Sequence, residues 1–236
     1  MINLRLMIDE SIEKIRACIA EACARRGRDP AGVTVVAISK GKAVGAIQEV
    51  FKSGIADVGE NRVGEALVKQ RELSVINPSL SARWHLVGHL QTNKVKDAVS
   101  LFDLIQSVDS VRLAAEIDKQ AAKINKLQGI LIEVKTSPEL SKFGLPVDQA
   151  AAAIETMRTL KNVCIRGLMT IAPLVDEPEK ARPYFRQLKQ LFDGINRSSF
   201  FTSGLAVLSM GMTNDYQVAV EEGATMVRLG RAIFGE

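Results

Sequence analysis

Apolar residues recur at helical spacing near the start of the chain, at Ile8, Ile12, Ile15 and Ile19, and predict a helix over residues 3–26 with one buried face. Arg25, Arg26 and Gly27, followed by Pro30, mark its end. The pattern then changes to short, β-branched apolar runs bounded by polar stretches. VTVVAIS (33–39) reads as a buried strand, and residues 44–52 as the helix after it. Further strands are predicted at 55–59, 84–88, 102–108, 129–135, 164–170, 205–211 and 224–230. Helical stretches lie between them at 60–72, 92–99, 110–125, 147–160, 178–193 and 214–222. Eight strand candidates separated by seven helices, behind one extra helix, predict a parallel α/β architecture. Eight such units in 236 residues favour a single (β/α)8 TIM-type barrel over 1–236, with residues 1–30 forming a helix packed on it. An open doubly wound sheet is the alternative, because periodicity does not report closure.

Composition narrows the class. Aromatic residues make up 5% of the chain, so the core must be built from Ile, Val, Leu and Ala, which suits strands buried on both faces. The net charge is +4, with basic and acidic residues interleaved. Lys94 and Lys96 are the nearest approach to a basic patch, and nucleic-acid binding is not expected. No apolar run is long enough to span a membrane, and no signal-peptide core follows Met1, so the cytoplasm is the expected compartment. Cys18, Cys23 and Cys164 form no CxxC pair and read as small hydrophobes, and two histidines give little support to a metal site.

In a barrel, chemistry gathers at the C-terminal ends of the strands. Lys40 directly follows the first apolar run, whereas its competitor Lys42 comes after Gly41. A lysine partly removed from water keeps more neutral amine, the form that Schiff-base chemistry needs. After the second strand, Gly59 lets the backbone pass a ligand closely, Glu60 can cap the next helix, and Asn61 can donate and accept. Glu60 and Arg62 read equally as a surface pair. WHLVGHLQTNK (84–94) places Trp84 for packing, His85 in the third strand and His89 beyond it, and KFG (142–144) forms a further mouth loop with Lys142. Ser209 and Gly211 end the seventh strand, and Gly230 and Arg231 end the eighth, where barrels commonly hold a phosphate. Arg228 is a charge inside the apolar run TMVRLG and needs a partner, either a structural ion pair or the ring nitrogen of a bound cofactor.

The motifs AISK, GENRVGE, WHLVGHLQTNK, KFG, GLMT and LSMGMTNDY…AVEEGATMVRLGRAIFG, in that order, resemble the pyridoxal phosphate homeostasis proteins. These are single-domain relatives of the alanine racemase N-terminal barrel. The resemblance runs from Ser39 and Lys40 to Gly235. It implies that Lys40 carries pyridoxal 5′-phosphate (PLP) as a Schiff base and that Arg228 lies by the pyridine nitrogen. It also implies that Ser209 and the backbone around Gly230 and Arg231 hold the phosphate, that Asn61 lines the cofactor and that His85 belongs to the mouth. The implied role is vitamin B6 homeostasis, by buffering or delivering PLP, without robust enzymatic turnover. Amino acids or keto acids and apo PLP-dependent enzymes are the implied partners, and a monomer or weak homodimer is expected. Three departures stand out: GKAV replaces the usual threonine and proline after the lysine, Val58 replaces a phenylalanine, and Arg231 replaces a threonine.

The alternative is an amino-acid racemase or lyase. Racemisation needs a second acid/base on the opposite face of the substrate, which related racemases supply as a tyrosine from an additional domain. Of the two tyrosines here, Tyr184 and Tyr216, only Tyr216 follows a mouth loop. A barrel kept only as an interaction scaffold is a third reading, which loss of Lys40 or of the phosphate loops would favour.

Overall fold

The N-terminal isoleucine stripe forms one face of helix α1 (Leu4–Ala24), and all four residues are buried. The computed structural model describes residues 4–139, 143–198 and 204–235, so Asn3 and Lys142 lie outside the described residues. After α1 the chain alternates as expected. β1 (Thr34–Ile38) leads to α2 (Val44–Lys52), β2 (Asp57–Glu60) to α3 (Val63–Ile76), and β3 (Arg83–Leu86) to α4 (Val95–Leu101). β4 (Leu104–Val108) leads to α5 (Val111–Lys123), whose N-cap Ser110 accepts a hydrogen bond from the Leu113 backbone N–H. β5 (Gln128–Lys135) is followed by the two-residue strand β6 (Leu145–Pro146) and α6 (Val147–Met157). β7 (Val163–Met169) precedes α7 (Arg182–Arg197), β8 (Val207–Ser209) precedes α8 (Tyr216–Glu221), and β9 (Met226–Leu229) precedes the short α9 (Arg231–Phe234).

The sheet closes. β1 pairs in parallel with both β2 and β9, and the ring continues through β3, β4, β5, β7 and β8, leaving β6 as a short addition beside β5. That closure decides between the barrel and the open sheet. It also sets levels: Val36 is the register partner of Asp57 on one side and Arg228 on the other. The outer faces of the strands and the helices form the main core, and α1 packs across α2, α8 and α9.

Inside the ring a smaller apolar layer, with Val36, Leu104, Leu131, Met169 and Met226, shares the space with polar Asp57, His85, Gln106, Ser209 and Arg228. Gly59 keeps room in this layer, since a Cβ there would stand 2.4 Å from Ile38 Cδ1.

One boundary difference lies at Glu60. Sequence reading starts a helix there, but Glu60 ends β2 with its side chain fully buried, and α3 begins at Val63. The reason is ionic: the Glu60 carboxylate meets Lys69 of α3 at 2.6 Å, so it points inward and neither caps the helix nor pairs with Arg62 at the surface. Predicted helix 178–193 divides into a 3-10 turn, Pro178–Ala181, and α7, which runs on to Arg197.

Candidate functional site

Where β1, β7, β8 and β9 end, a cavity of about 560 Å³ opens, lined by Lys40, Ile171, Thr213, Arg228, Gly230 and Arg231 among others. Lys40 is exposed at this cavity, available to a ligand rather than desolvated beforehand. Lys42 points elsewhere, its Nζ 3.4 Å from the Gly235 carbonyl.

The turn that presents Lys40 is pinned on both sides. Ser39 Oγ donates to Glu60 Oε1, and Lys69 Nζ donates to the Ser39 carbonyl at 2.6 Å. On the other side the Gly41 N–H donates to Glu65 Oε1 at 2.6 Å, and Lys69 bridges Glu65 at 2.8 Å. Partial burial works to raise the Glu65 carboxyl, but the Lys69 ammonium and the Gly41 N–H together outweigh it and hold the group below its ordinary range. Sequence reading missed Lys69, because a lysine in the middle of a helix rich in charged and polar residues looks like a solvated one. The only available hint was its i, i+4 spacing from Glu65.

Arg228 is 4% exposed. Its Nη1 donates to Ser209 Oγ at 2.7 Å, its Nη2 to the Thr170 carbonyl at 2.8 Å, and its backbone N–H to the Gly211 carbonyl. Burial lowers its pKa to about 10, with Asp215 and Glu133 working the other way, so it stays charged at neutral pH. Burial raises the Glu133 carboxyl to about 7, Asp109 adds to the rise, and Arg228 opposes it.

The sequence-predicted residues therefore divide. Lys40, Arg228, Gly230 and Arg231 line one cavity, and Arg231 is exposed there. Ser209 lies beneath that cavity, fully buried, with its hydroxyl shared between Arg228 and Gln106. Gly211, at φ +93°, makes the turn after β8, where a Cβ would strike Ala219 and Tyr216. His85 lies inside the ring between Asp57 and Gln106. Asn61 lines a neighbouring cavity of about 410 Å³ with His89 and Lys94. There His89 stacks on Phe143, ring centroids 3.7 Å apart.

Thr213 was also missed: its Oγ1 accepts from the Ala232 N–H at 3.2 Å, bringing a hydroxyl beside Gly230 and Arg231. The polar run after Gly211 was the available signal. Tyr216 does not line the Lys40 cavity and is buried, its phenol beside Cys18 of α1. Burial first, and then Cys18, push that phenol up to about 12.

An amine, a buried guanidinium, glycine-flanked backbone and a threonine hydroxyl around one opening suit a small, elongated, anionic carbonyl compound, and the volume is that of a small-molecule site. PLP has that chemistry, and the donor set fits it.

Comparison with known proteins agrees with the fold. The family model for the alanine racemase N-terminal domain matches residues 13–236. A pyridoxal phosphate homeostasis protein of Aquifex aeolicus is 41% identical over 227 residues, covering 96% of this chain and 97% of that protein. A protein of unknown function from Bifidobacterium adolescentis superposes with a TM-score of 0.92 at 32% identity, covering 99% of this chain and 98% of that one. PipY of Synechococcus elongatus, solved with PLP bound, gives a TM-score of 0.80 at 37% identity, covering 92% of this chain and all of PipY.

Proposed function

This chain belongs to the pyridoxal phosphate homeostasis protein family, and from that premise we propose that it holds PLP as a Schiff base on Lys40 and takes part in vitamin B6 homeostasis. The observation that carries the proposal is the convergence of Lys40, Arg228 and the Gly230–Arg231 turn on one cavity. When bound, the cofactor supplies an aldehyde for the lysine and an electron sink for amines attached to it.

The residues have distinct tasks. Lys40 provides the amine, and the Glu60–Lys69–Glu65 clamp fixes the backbone on both sides of it. The backbone at Gly230 and Arg231, with Thr213, offers neutral donors to a phosphate, and the exposed Arg231 adds charge. Arg228, a donor that stays charged at neutral pH, would keep a proton off a ring nitrogen placed against it, since a protonated ring would meet like charge. A ring kept unprotonated withdraws electrons weakly, which favours holding over turnover. The burial of Tyr216 against α1 supports this reading over a racemase, for which Tyr216 was the candidate second base. Amino acids, keto acids or apo PLP-dependent enzymes are the proposed recipients.

The test is intact mass and visible absorbance after incubation with PLP and borohydride reduction. A reduced adduct mapping to Lys40, and lost in Lys40→Ala, is the expected result. An unlabelled wild-type protein would sink the proposal, and a label on Lys42 would relocate the site.

A further inference from the structure

An arginine only donates and an ionised carboxylate only accepts, so a hydrogen-bonded chain strung between them has one direction. The interior of this barrel holds such a chain. Arg228 Nη1 donates to Ser209 Oγ at 2.7 Å, Ser209 donates to Gln106 Oε1 at 2.7 Å, and Gln106 Nε2 meets His85 Nδ1 at 2.9 Å. His85 Nε2 then meets Asp57 Oδ1 at 2.9 Å, and Arg83 donates to that same oxygen from the far end of the barrel. Ser209, Gln106 and His85 are each at most 3% exposed, so water offers no substitute partners. Each middle group then has a single role. Ser209 gives its proton to Gln106, the Gln106 amide gives one to Nδ1, and His85 gives its Nε2 proton to Asp57.

We infer that Gln106 and His85 are positioning residues that act through Ser209 to fix the guanidinium of Arg228 for the ring end of the cofactor. The inference rests on the cofactor reading above. With Nη1 committed to Ser209 and Nη2 to the Thr170 carbonyl, the guanidinium plane cannot rotate without breaking a bond in a dry interior. Its remaining donors are left for the occupant of the cavity that it lines. Arg228 also faces the charges of Asp215 and Glu133, and His85 faces Asp57. Neither Gln106 nor His85 lines that cavity, so their influence passes through bonds rather than contact.

Two measurements test this, one of them without cofactor. Side-chain 15N NMR of the cofactor-free protein should show His85 protonated on Nε2 and accepting on Nδ1, and the opposite tautomer would overturn the chain's direction. With PLP bound, Gln106→Leu should weaken affinity about five- to tenfold, the scale of one lost buried hydrogen bond. It should also move the pH midpoint of the visible band while the reduced Lys40 adduct still forms. Adding His85→Asn to it should cause little further loss, because the chain is already cut. Gln106→Glu covers a failure of the leucine variant to fold. It keeps the acceptor for Ser209 but cannot donate to Nδ1, so it should draw a second proton onto His85 and shift the same midpoint. An unmoved midpoint in either folded variant overturns the inference. Absence of a wild-type adduct would remove the cofactor reading, and this inference with it, whatever the His85 tautomer.

Discussion

Single side chains set what this site can do. Arg228→Gln should alter the absorbance of bound PLP and its dependence on pH, because a neutral amide lets the ring nitrogen take a proton. An identical titration in the wild type and the variant would deny Arg228 that role. Lys40 was legible in the sequence because it ends an apolar run with nothing between. Arg228 was legible because a charge in TMVRLG demands a partner. The partners themselves were not. Gln106 falls within the predicted strand 102–108 and Asp57 within 55–59, and neither short run tells what its polar side chain meets. Their meeting with His85 depends on a closed ring that puts inward-facing residues of β2, β3, β4, β8 and β9 in one interior.

At the scale of elements, the clamp between β2 and α3 joins the fold to the presentation of Lys40. Lys69→Met leaves the fully buried Glu60 carboxylate without its cation, and the expected loss is ~3–5 kcal/mol, read from urea unfolding. A loss under about 1 kcal/mol would deny the pair that role. α1 makes a simpler case: Ile12→Ala, in a stripe sealed against α2, α8 and α9, should destabilise by ~2–5 kcal/mol. Helix and strand order came through in the sequence because period and breakers are local. The start of α3 did not, since the ion pair holding Glu60 in β2 reaches nine residues ahead.

Over the whole molecule, two buried carboxylates bend stability in opposite directions. Burial raises the Asp57 carboxyl, but hydrogen bonds from His85 and Arg83 outweigh it and bring the pKa from 3.8 to about 2. Its contribution, about 2 kcal/mol, is present above pH ~4 and lost as pH falls toward 2. Glu133 is the reverse: its pKa rises from 4.5 to about 7 in the folded state, so the fold binds its proton more tightly than the unfolded chain does. That preference stabilises below pH 4.5 and is lost, by up to about 3 kcal/mol, as pH climbs through 7. Glu133→Gln should therefore flatten the fall in melting temperature between about pH 5 and 8. An equally steep fall in the variant would assign the slope to other groups.

The pairing of β1 with β9 has a consequence for the order of events during synthesis. Lys40 leaves the ribosome well before the strand bearing Arg228, yet the two flank one opening. A nascent chain halted before Met226 has the amine but no closed ring, and it should carry no borohydride-fixed label. On the proposed reading, cofactor capture waits until β9 has been made, and a product truncated before it would not withdraw PLP from the cell's supply.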